Sequence, residues 1–253
     1  FVLDKFGVRA PEYIKDVRTQ VRDIEIRETE GVASSISLKD AWMLMKQANV
    51  VTLPITENGK IEGLITIGDI AKSLMEQYDN GIISTACTRF RNIVETINGT
   101  VVVGNADEYF TEGKVIIAAA NPDMMETMIE ANDLVILGNR YESQFCAIEM
   151  GARCIIVCEG SDVLQTIRRL AEEKNCIIIS TPYDTYSVAR LINQSMPISY
   201  FMKRENLITF RTEDYIDQIQ DVMAKKRHRD FPILDSEGIY VGMISRRNLL
   251  GAN

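Results

Sequence analysis

Apolar residues Leu38, Ala41, Leu44 and Met45 recur at steps of three, three and one. This spacing predicts the inward face of an amphipathic helix. The same steps return at Ile216, Ile219, Val222 and Met223. Ser37 with Asp40 forms a helix-starting box before the first helix, and Thr212 is the expected N-cap of the second. Each helix gives way to a short apolar strand carrying proline, Val50–Pro54 and Asp230–Leu234. A polar turn follows, Glu57-Asn58-Gly59 or Asp235-Ser236-Glu237-Gly238, as in a hairpin. The returning strands are Gly63–Thr66 and Gly242–Ser245, with a closing helix expected near Asp69 and near Asn248. The pattern is thus a repeat, over residues 34–70 and 212–249. Pro54 to Gly63 is nine residues and Pro232 to Gly242 is ten, a difference that a hairpin turn absorbs. A β-α-β-β-α unit of about 55 residues is marginal alone. Two such units are therefore expected to pair across their sheets and leave two clefts related by a pseudo-twofold axis.

Between the repeats, over residues 81–192, Val/Ile-rich runs alternate with helical patterns. The runs are Thr100–Gly104, Lys114–Ala119, Asp133–Gly138, Cys154–Cys158 and Cys176–Ser180. Helices are expected over Pro122–Ala131, Ser143–Met150, Asp162–Lys174 and Thr185–Asn193. Such alternation predicts a mainly parallel sheet covered on both faces. The turn after a parallel strand is where these sheets bind ligands. Gly138-Asn139-Arg140, however, is too short and glycine-poor for a phosphate loop, and a structural or dimer-forming role is expected of this segment.

A chain of 253 residues has room for two or three domains. With 46% hydrophobic and 25% charged residues it has an ordinary globular composition. A net charge of -8 argues against a nucleic-acid surface. No apolar run approaches the ~20 residues that cross a bilayer, and Asp4 and Lys5 interrupt any signal-peptide core. A cytoplasmic protein with no membrane or nucleic-acid partner is expected. The five cysteines are an odd number for a disulfide framework. Cys154 and Cys158 would share one strand face as buried thiols. The single histidine, His228, lies in the basic run Lys225-Lys226-Arg227-His228-Arg229, where a solvated or phosphate-facing role is natural. Arg246-Arg247 is a second basic cluster. Neither a zinc site nor a Ser-His-Asp triad can be assembled.

The two repeats resemble CBS repeats, and their pair resembles a Bateman module. The resemblance is carried by Leu53-Pro54-Ile55 and Phe231-Pro232-Ile233, and by the strand ends Gly63-Leu64-Ile65-Thr66-Ile67-Gly68-Asp69 and Gly242-Met243-Ile244-Ser245-Arg246-Arg247-Asn248. The middle resembles a DRTGG domain through Leu134–Arg140, Ala147-x-Glu149-x-Gly151-Ala152 and Thr181–Tyr186, without the literal five-letter signature. The expected fold is therefore α/β and α+β: paired β-α-β-β-α CBS repeats interrupted by an α/β DRTGG domain with a mainly parallel sheet. The expected segments are a linker over 1–15, a CBS repeat over 16–79, the DRTGG domain over 80–193 and a CBS repeat over 194–253. This order resembles the regulatory region of CBS-containing family II (manganese- or cobalt-dependent) inorganic pyrophosphatases. The opening Phe6-Gly7-Val8-x-x-Pro11-x-x-Ile14-x-Asp16-Val17 resembles the chain leaving a DHH-type catalytic domain.

The resemblance implies a regulatory region that binds AMP, ADP or ATP and controls attached catalytic domains, which would hold manganese or cobalt. It leaves open whether a diadenosine polyphosphate bridges two sites. It implies no catalytic residue, no metal ligand and no cofactor in this chain itself, and a homodimer. Its nucleotide residues carry over as Thr66, Ile67, Gly68, Asp69, Arg204, Thr209, Arg229, Asp230 and Phe231. A second, weaker set is Ala33, Ser34, Val51, Thr52, Leu53, Ser245 and Asn248. The acidic residue closing the motif would accept from both ribose hydroxyls, which suits a carboxylate better than the amide of Asn248. The competing readings are a structural dimerisation module with degenerate pockets and a small enzyme on the central domain. Against the last, no nucleophile-base pair or metal cluster can be read there.

Overall fold

In the computed structural model, which describes Gly7 and residues 16–76, 79–118, 120–226 and 228–250, Ser37 starts the first long helix. Its Oγ accepts from the amide of Asp40 at 3.0 Å, and α1 (Leu38–Ala48) runs to a left-handed Asn49. Leu38, Ala41 and Met45 are buried, as the spacing predicts, but Leu44 is 38% exposed. The inward stripe is narrower than expected, because Met45 already fills the position one turn above Ala41. Strands β1 (Thr52–Glu57) and β2 (Lys60–Thr66) join through Asn58-Gly59, both at positive φ. Two such residues make the turn whose twist matches a hairpin. Helix α2 (Ile67–Met75) starts two residues before the expected Asp69, because Thr66 itself is the N-cap.

The central segment opens on α3 (Ile82–Thr85), β3 (Thr88–Arg89) and α4 (Phe90–Thr96), none of which the apolar pattern predicts. A five-stranded sheet follows. It is built from β4 (Thr100–Val103), β6 (Val115–Ile117), β7 (Leu134–Leu137), β8 (Cys154–Val157) and β9 (Ile177–Ser180) in the order β4-β9-β8-β7-β6. The four later strands pair in parallel, and β4 closes one edge antiparallel to β9. The short β5 (Tyr109–Phe110) pairs with β3 instead. Helices α5 (Pro122–Met128), α6 (Tyr141–Glu149), α7 (Gln165–Glu173) and α8 (Thr185–Leu191) follow the strands.

Every residue of β7 and β8 is buried, because both faces of the sheet are covered. Val135, Leu137, Ile155 and Val157 pack with Met125, Ala147 and Ile167 of the helices. Leu134, Ile136, Cys154, Ile156 and Cys158 face the other way, into a core shared with Val188 and with Leu38, Met45, Ile55 and Ile65 of the first repeat. Cys154 and Cys158 therefore do share one face.

The second repeat has its own core. Strand β10 (Phe210–Arg211) lies parallel to β11 (Asp230–Leu234), which pairs antiparallel with β12 (Tyr240–Ser245). Helix α9 (Ile216–Lys225) buries Ile216, Ile219 and Met223 against Phe231, Ile233 and Ile244. The helix α10 (Arg246–Leu250) follows directly, again two residues before the expected Asn248. Thr212 is not the cap of α9: that position is Tyr215, with no side-chain cap. The carboxylate of Asp214 accepts from the Arg211 amide at 2.7 Å and holds residues 211–214 in a turn, so the helix begins later.

By its contacts the chain divides into two units. One is Phe1–Gly31, Asn58–Ile61 and Asn206–Asn253; the other is Val32–Glu57 and Glu62–Glu205. The expected linker over 1–15, apart from Gly7, lies outside the described residues, as do 77–78 near the end of the expected first repeat, Ala119, Arg227 and 251–253. No described helix is long and apolar enough to cross a membrane.

Candidate functional site

Thr66 ends β2 in an extended conformation and passes the chain into α2, so its side chain sits over the first turn of the helix. Its Oγ1 accepts from the Asp69 amide at 3.2 Å. Asp69 Oδ2 accepts in return from the Thr66 amide and hydroxyl, both at 2.8 Å. The Thr-x-x-Asp motif is thus a closed capping box. Only one carboxylate oxygen is consumed. Asp69 Oδ1 lies 3.8 Å from Lys203 Nζ, and the Asp69 side chain is 17% exposed. The Ile67 amide is taken by the Val51 carbonyl at 2.9 Å, while the Gly68 amide meets no acceptor among the described residues.

The chain around Lys203 is held against β2 by two backbone bonds to Leu64, of 2.9 and 3.0 Å, an isolated bridge. Gly63 makes this approach possible, since a Cβ there would sit 2.7 Å from the Lys203 carbonyl oxygen. Arg204 follows and is exposed. A hydrogen bond to Glu57 raises the Glu62 carboxyl above the usual range, and the charge of Arg204 opposes that rise. In the same unit Val32 brackets Ile55 by bonds to Pro54 and Thr56, which places Ala33 and Ser34 at the end of β1. The Ser34 carbonyl accepts from the Ser199 amide at 3.0 Å. Thr52 and Leu53 are buried.

The second motif repeats this geometry in the other unit. Asn248 Oδ1 accepts from the Ser245 amide at 2.9 Å and hydroxyl at 2.8 Å. Its Nδ2 donates to the Glu25 carbonyl at 3.3 Å, so both ends of the amide are engaged. The chain at Arg27 pairs with Met243, and Gly242 again permits it, with a Cβ there 2.8 Å from the Arg27 carbonyl oxygen. Asp230, buried, pairs across the strands with Ser245 and lies 3.7 Å from Arg27. Phe231 is 1% exposed and packs on Phe210 at 5.4 Å between ring centroids, so it is first a core residue. Thr209 precedes β10, and Arg229 is exposed. Arg246, from the second basic cluster, donates to the Met223 and Lys226 carbonyls and so closes the end of α9.

The structure therefore groups Ala33, Ser34, Val51, Thr52, Leu53, Thr66, Ile67, Gly68, Asp69 and Arg204 in one unit. It groups Thr209, Arg229, Asp230, Phe231, Ser245 and Asn248 in the other. Sequence reasoning missed Lys203 and Arg27. The only signal was a glycine inside each returning strand, which marks a close backbone approach without saying whose.

The CBS domain family matches residues 21–76 and 198–253, and the DRTGG domain family matches residues 92–195. The chain is 30% identical, over 254 residues, to a cobalt-dependent inorganic pyrophosphatase of Clostridium perfringens (strain 13 / Type A); the match covers 100% of this chain and 46% of that protein. A probable manganese-dependent inorganic pyrophosphatase of Thermotoga maritima is 27% identical over 250 residues, 99% of this chain and 45% of the relative. The chain thus spans about half the length of these curated relatives. A crystal structure of the CBS and DRTGG domains of the regulatory region of Clostridium perfringens pyrophosphatase, complexed with the activator diadenosine tetraphosphate, matches with a TM-score of 0.86. Its identity is 30%, covering 90% of this chain and 100% of that one.

Proposed function

This chain belongs to the family of CBS–DRTGG regulatory regions of inorganic pyrophosphatases, and from that premise we propose that it binds adenine nucleotides and so controls catalytic domains joined to it. The observation that carries the reading is the Asp69 carboxylate. One oxygen is fixed by Thr66, and the other, beside Lys203, remains to accept from a ribose. The solved relative is complexed with diadenosine tetraphosphate, which makes a dinucleotide a ligand to test beside AMP, ADP and ATP. The fuller residue set named from the sequence is closed by Asp69 and the weaker by Asn248. The attached domains would use manganese or cobalt, as the names of the curated relatives indicate, and would work in the cytoplasm. Regulation requires that a nucleotide bind two arrangements of the chain unequally, since equal binding shifts nothing.

Calorimetric titration of AMP, ADP, ATP and diadenosine polyphosphates into the chain tests this. Saturable binding of at least one is expected; if none binds, the chain is not a nucleotide sensor. A second reading, a dimerisation module, draws on a different observation. Leu38, Trp42, Ile67, Ile70 and Leu74 line an apolar cleft of about 330 Å3 on α1 and α2, and Trp42 and Leu74 are 44% and 53% exposed. Such a face suits a second copy of the chain. On this second reading the ligand pockets are degenerate, so the nucleotide titration separates the two; under either, light scattering at micromolar concentration should give the mass of a homodimer.

A further inference from the structure

Strand β7 ends at Leu137, and the turn Gly138-Asn139-Arg140 leads straight into α6. This nine-residue helix starts with no side-chain cap. The amides of Tyr141, Glu142 and Ser143 meet no acceptor among the described residues, whereas that of Gln144 reaches the Arg140 carbonyl at 3.1 Å. The Gln144 side chain braces the turn by donating to the Gly138 carbonyl at 3.2 Å. Ser143 is 5% exposed, yet its hydroxyl has no hydrogen-bond partner among the described residues. The hydroxyl is not sealed off: it opens to the cleft beside it, where a guest could pair with it.

Ser143 lines a polar cleft of about 210 Å3 together with Gly138, Asn139, Arg140, Ala118 and Ala120. A Cβ on Gly138 would meet nothing within 4 Å, so this wall is open. Arg89, Arg91 and Arg153 are each committed to Asp107 or Glu108. The exposed Arg140 has no carboxylate within ion-pair distance among the described residues. Glu142, in the same turn, does not line the cleft.

Free first-turn amides, the positive end of the helix dipole, an unpaired guanidinium and an unpaired hydroxyl all favour one kind of guest, an oxyanion. The volume sets its size. Pockets for drug-sized ligands run to roughly 300–1,000 Å3, so this cleft has room for a phosphate group and little more, not for a nucleotide. A glycine-rich phosphate loop, absent here, is not needed when the helix start supplies the amides.

We propose that the cleft at the start of α6 is an oxyanion site that takes a phosphate group, either as free orthophosphate or pyrophosphate or as the phosphate of a small ester. The test titrates orthophosphate, pyrophosphate and glycerol 3-phosphate separately into the chain, read by calorimetry and by backbone amide shifts. Saturable binding of at least one is expected, with shifts at the amides of 141–143. Affinity should fall about tenfold in Arg140→Gln or Ser143→Ala, as for loss of one hydrogen bond to a charged group. Tightest binding of an inorganic ion identifies a free-phosphate site, and tightest binding of glycerol 3-phosphate an ester site. The proposal is overturned if none of the three binds at millimolar concentration, if the shifts fall elsewhere, or if both variants bind like the parent. Arg140 is exposed and Ser143→Ala nearly isosteric, so both variants should fold, and the amide shifts of the parent decide the matter even if one does not.

Discussion

Asp69 and Asn248 hold the same place in the two repeats, yet Asp69 keeps a carboxylate oxygen 3.8 Å from Lys203 while Asn248 spends both ends of its amide on Ser245 and Glu25. Only the first can accept further hydrogen bonds at no cost to its own cap. Asp69→Ala should therefore reduce AMP affinity about tenfold or more, the worth of hydrogen bonds to a charged group. Asn248→Ala should do less. Replacing Arg204 or Arg229 should narrow the preference for AMP over adenosine, because guanidinium groups serve the phosphate. Calorimetry with both ligands on each variant checks this; the reverse order for Asp69 and Asn248 would move the main pocket to the second motif.

Gly63→Ala should destabilise the chain by about 1–3 kcal/mol, the usual range for overpacking. Its new methyl would meet a backbone carbonyl at 2.7 Å, and neither β2 nor the paired segment at Lys203 can retreat without losing the Leu64 bonds. Gly242→Ala should behave alike, through Arg27. Gly138→Ala, with open space around it, is the control and should leave the urea midpoint nearly unmoved.

Much of this architecture was legible because it is local. Leu38, Ala41 and Met45 mark a helix face, Asn58-Gly59 a hairpin, and the runs ending at Leu137, Val157 and Ser180 parallel strands, each through a spacing the chain carries within a few residues. What escaped depends on distant partners. Strands β3 and β5 are two residues each and exist only by pairing with one another. Strand β4 looks like its neighbours in sequence, and only its pairing with β9 makes it antiparallel. Thr212 is not the predicted cap because the Asp214 carboxylate, on the Arg211 amide, holds residues 211–214 in a turn and α9 begins after it. The motif residues Thr66, Asp69, Ser245 and Asn248 could be named in advance. Lys203 and Arg27 could not, since no periodicity links them to the glycines they approach.

The cysteines should separate cleanly by reactivity. Cys87 is exposed, while Cys146, Cys154, Cys158 and Cys176 are buried. Burial pushes the Cys158 and Cys176 thiols up to about 12, and raises those of Cys146 and Cys154 as well. The thiolate is the reactive form. In the native chain at pH 8 a thiol reagent should label Cys87 within minutes and the other four only after unfolding in denaturant. Mass spectrometry of the labelled peptides gives the answer, and fast labelling of Cys154 would mean that the central sheet opens readily.

Pyrophosphate hydrolysis offers the sharpest separation between this chain and a complete enzyme. Two-metal hydrolysis needs several carboxylate and imidazole ligands converging on ions roughly 3.5–4 Å apart. The sequence holds one histidine, His228. It is exposed beside Arg229 and packs edge-on against Phe231. Among the described residues no three His, Cys, Asp or Glu side chains converge to hold a metal. Incubated with pyrophosphate and either manganese or cobalt, the chain should release no more phosphate than buffer. An oxyanion site at Arg140 and Ser143 would still bind the substrate or its product, so binding without turnover is the expected pair of results. Metal-dependent phosphate release that survives repurification, and that scales with the amount of chain, would show that a hydrolytic centre lies within it after all.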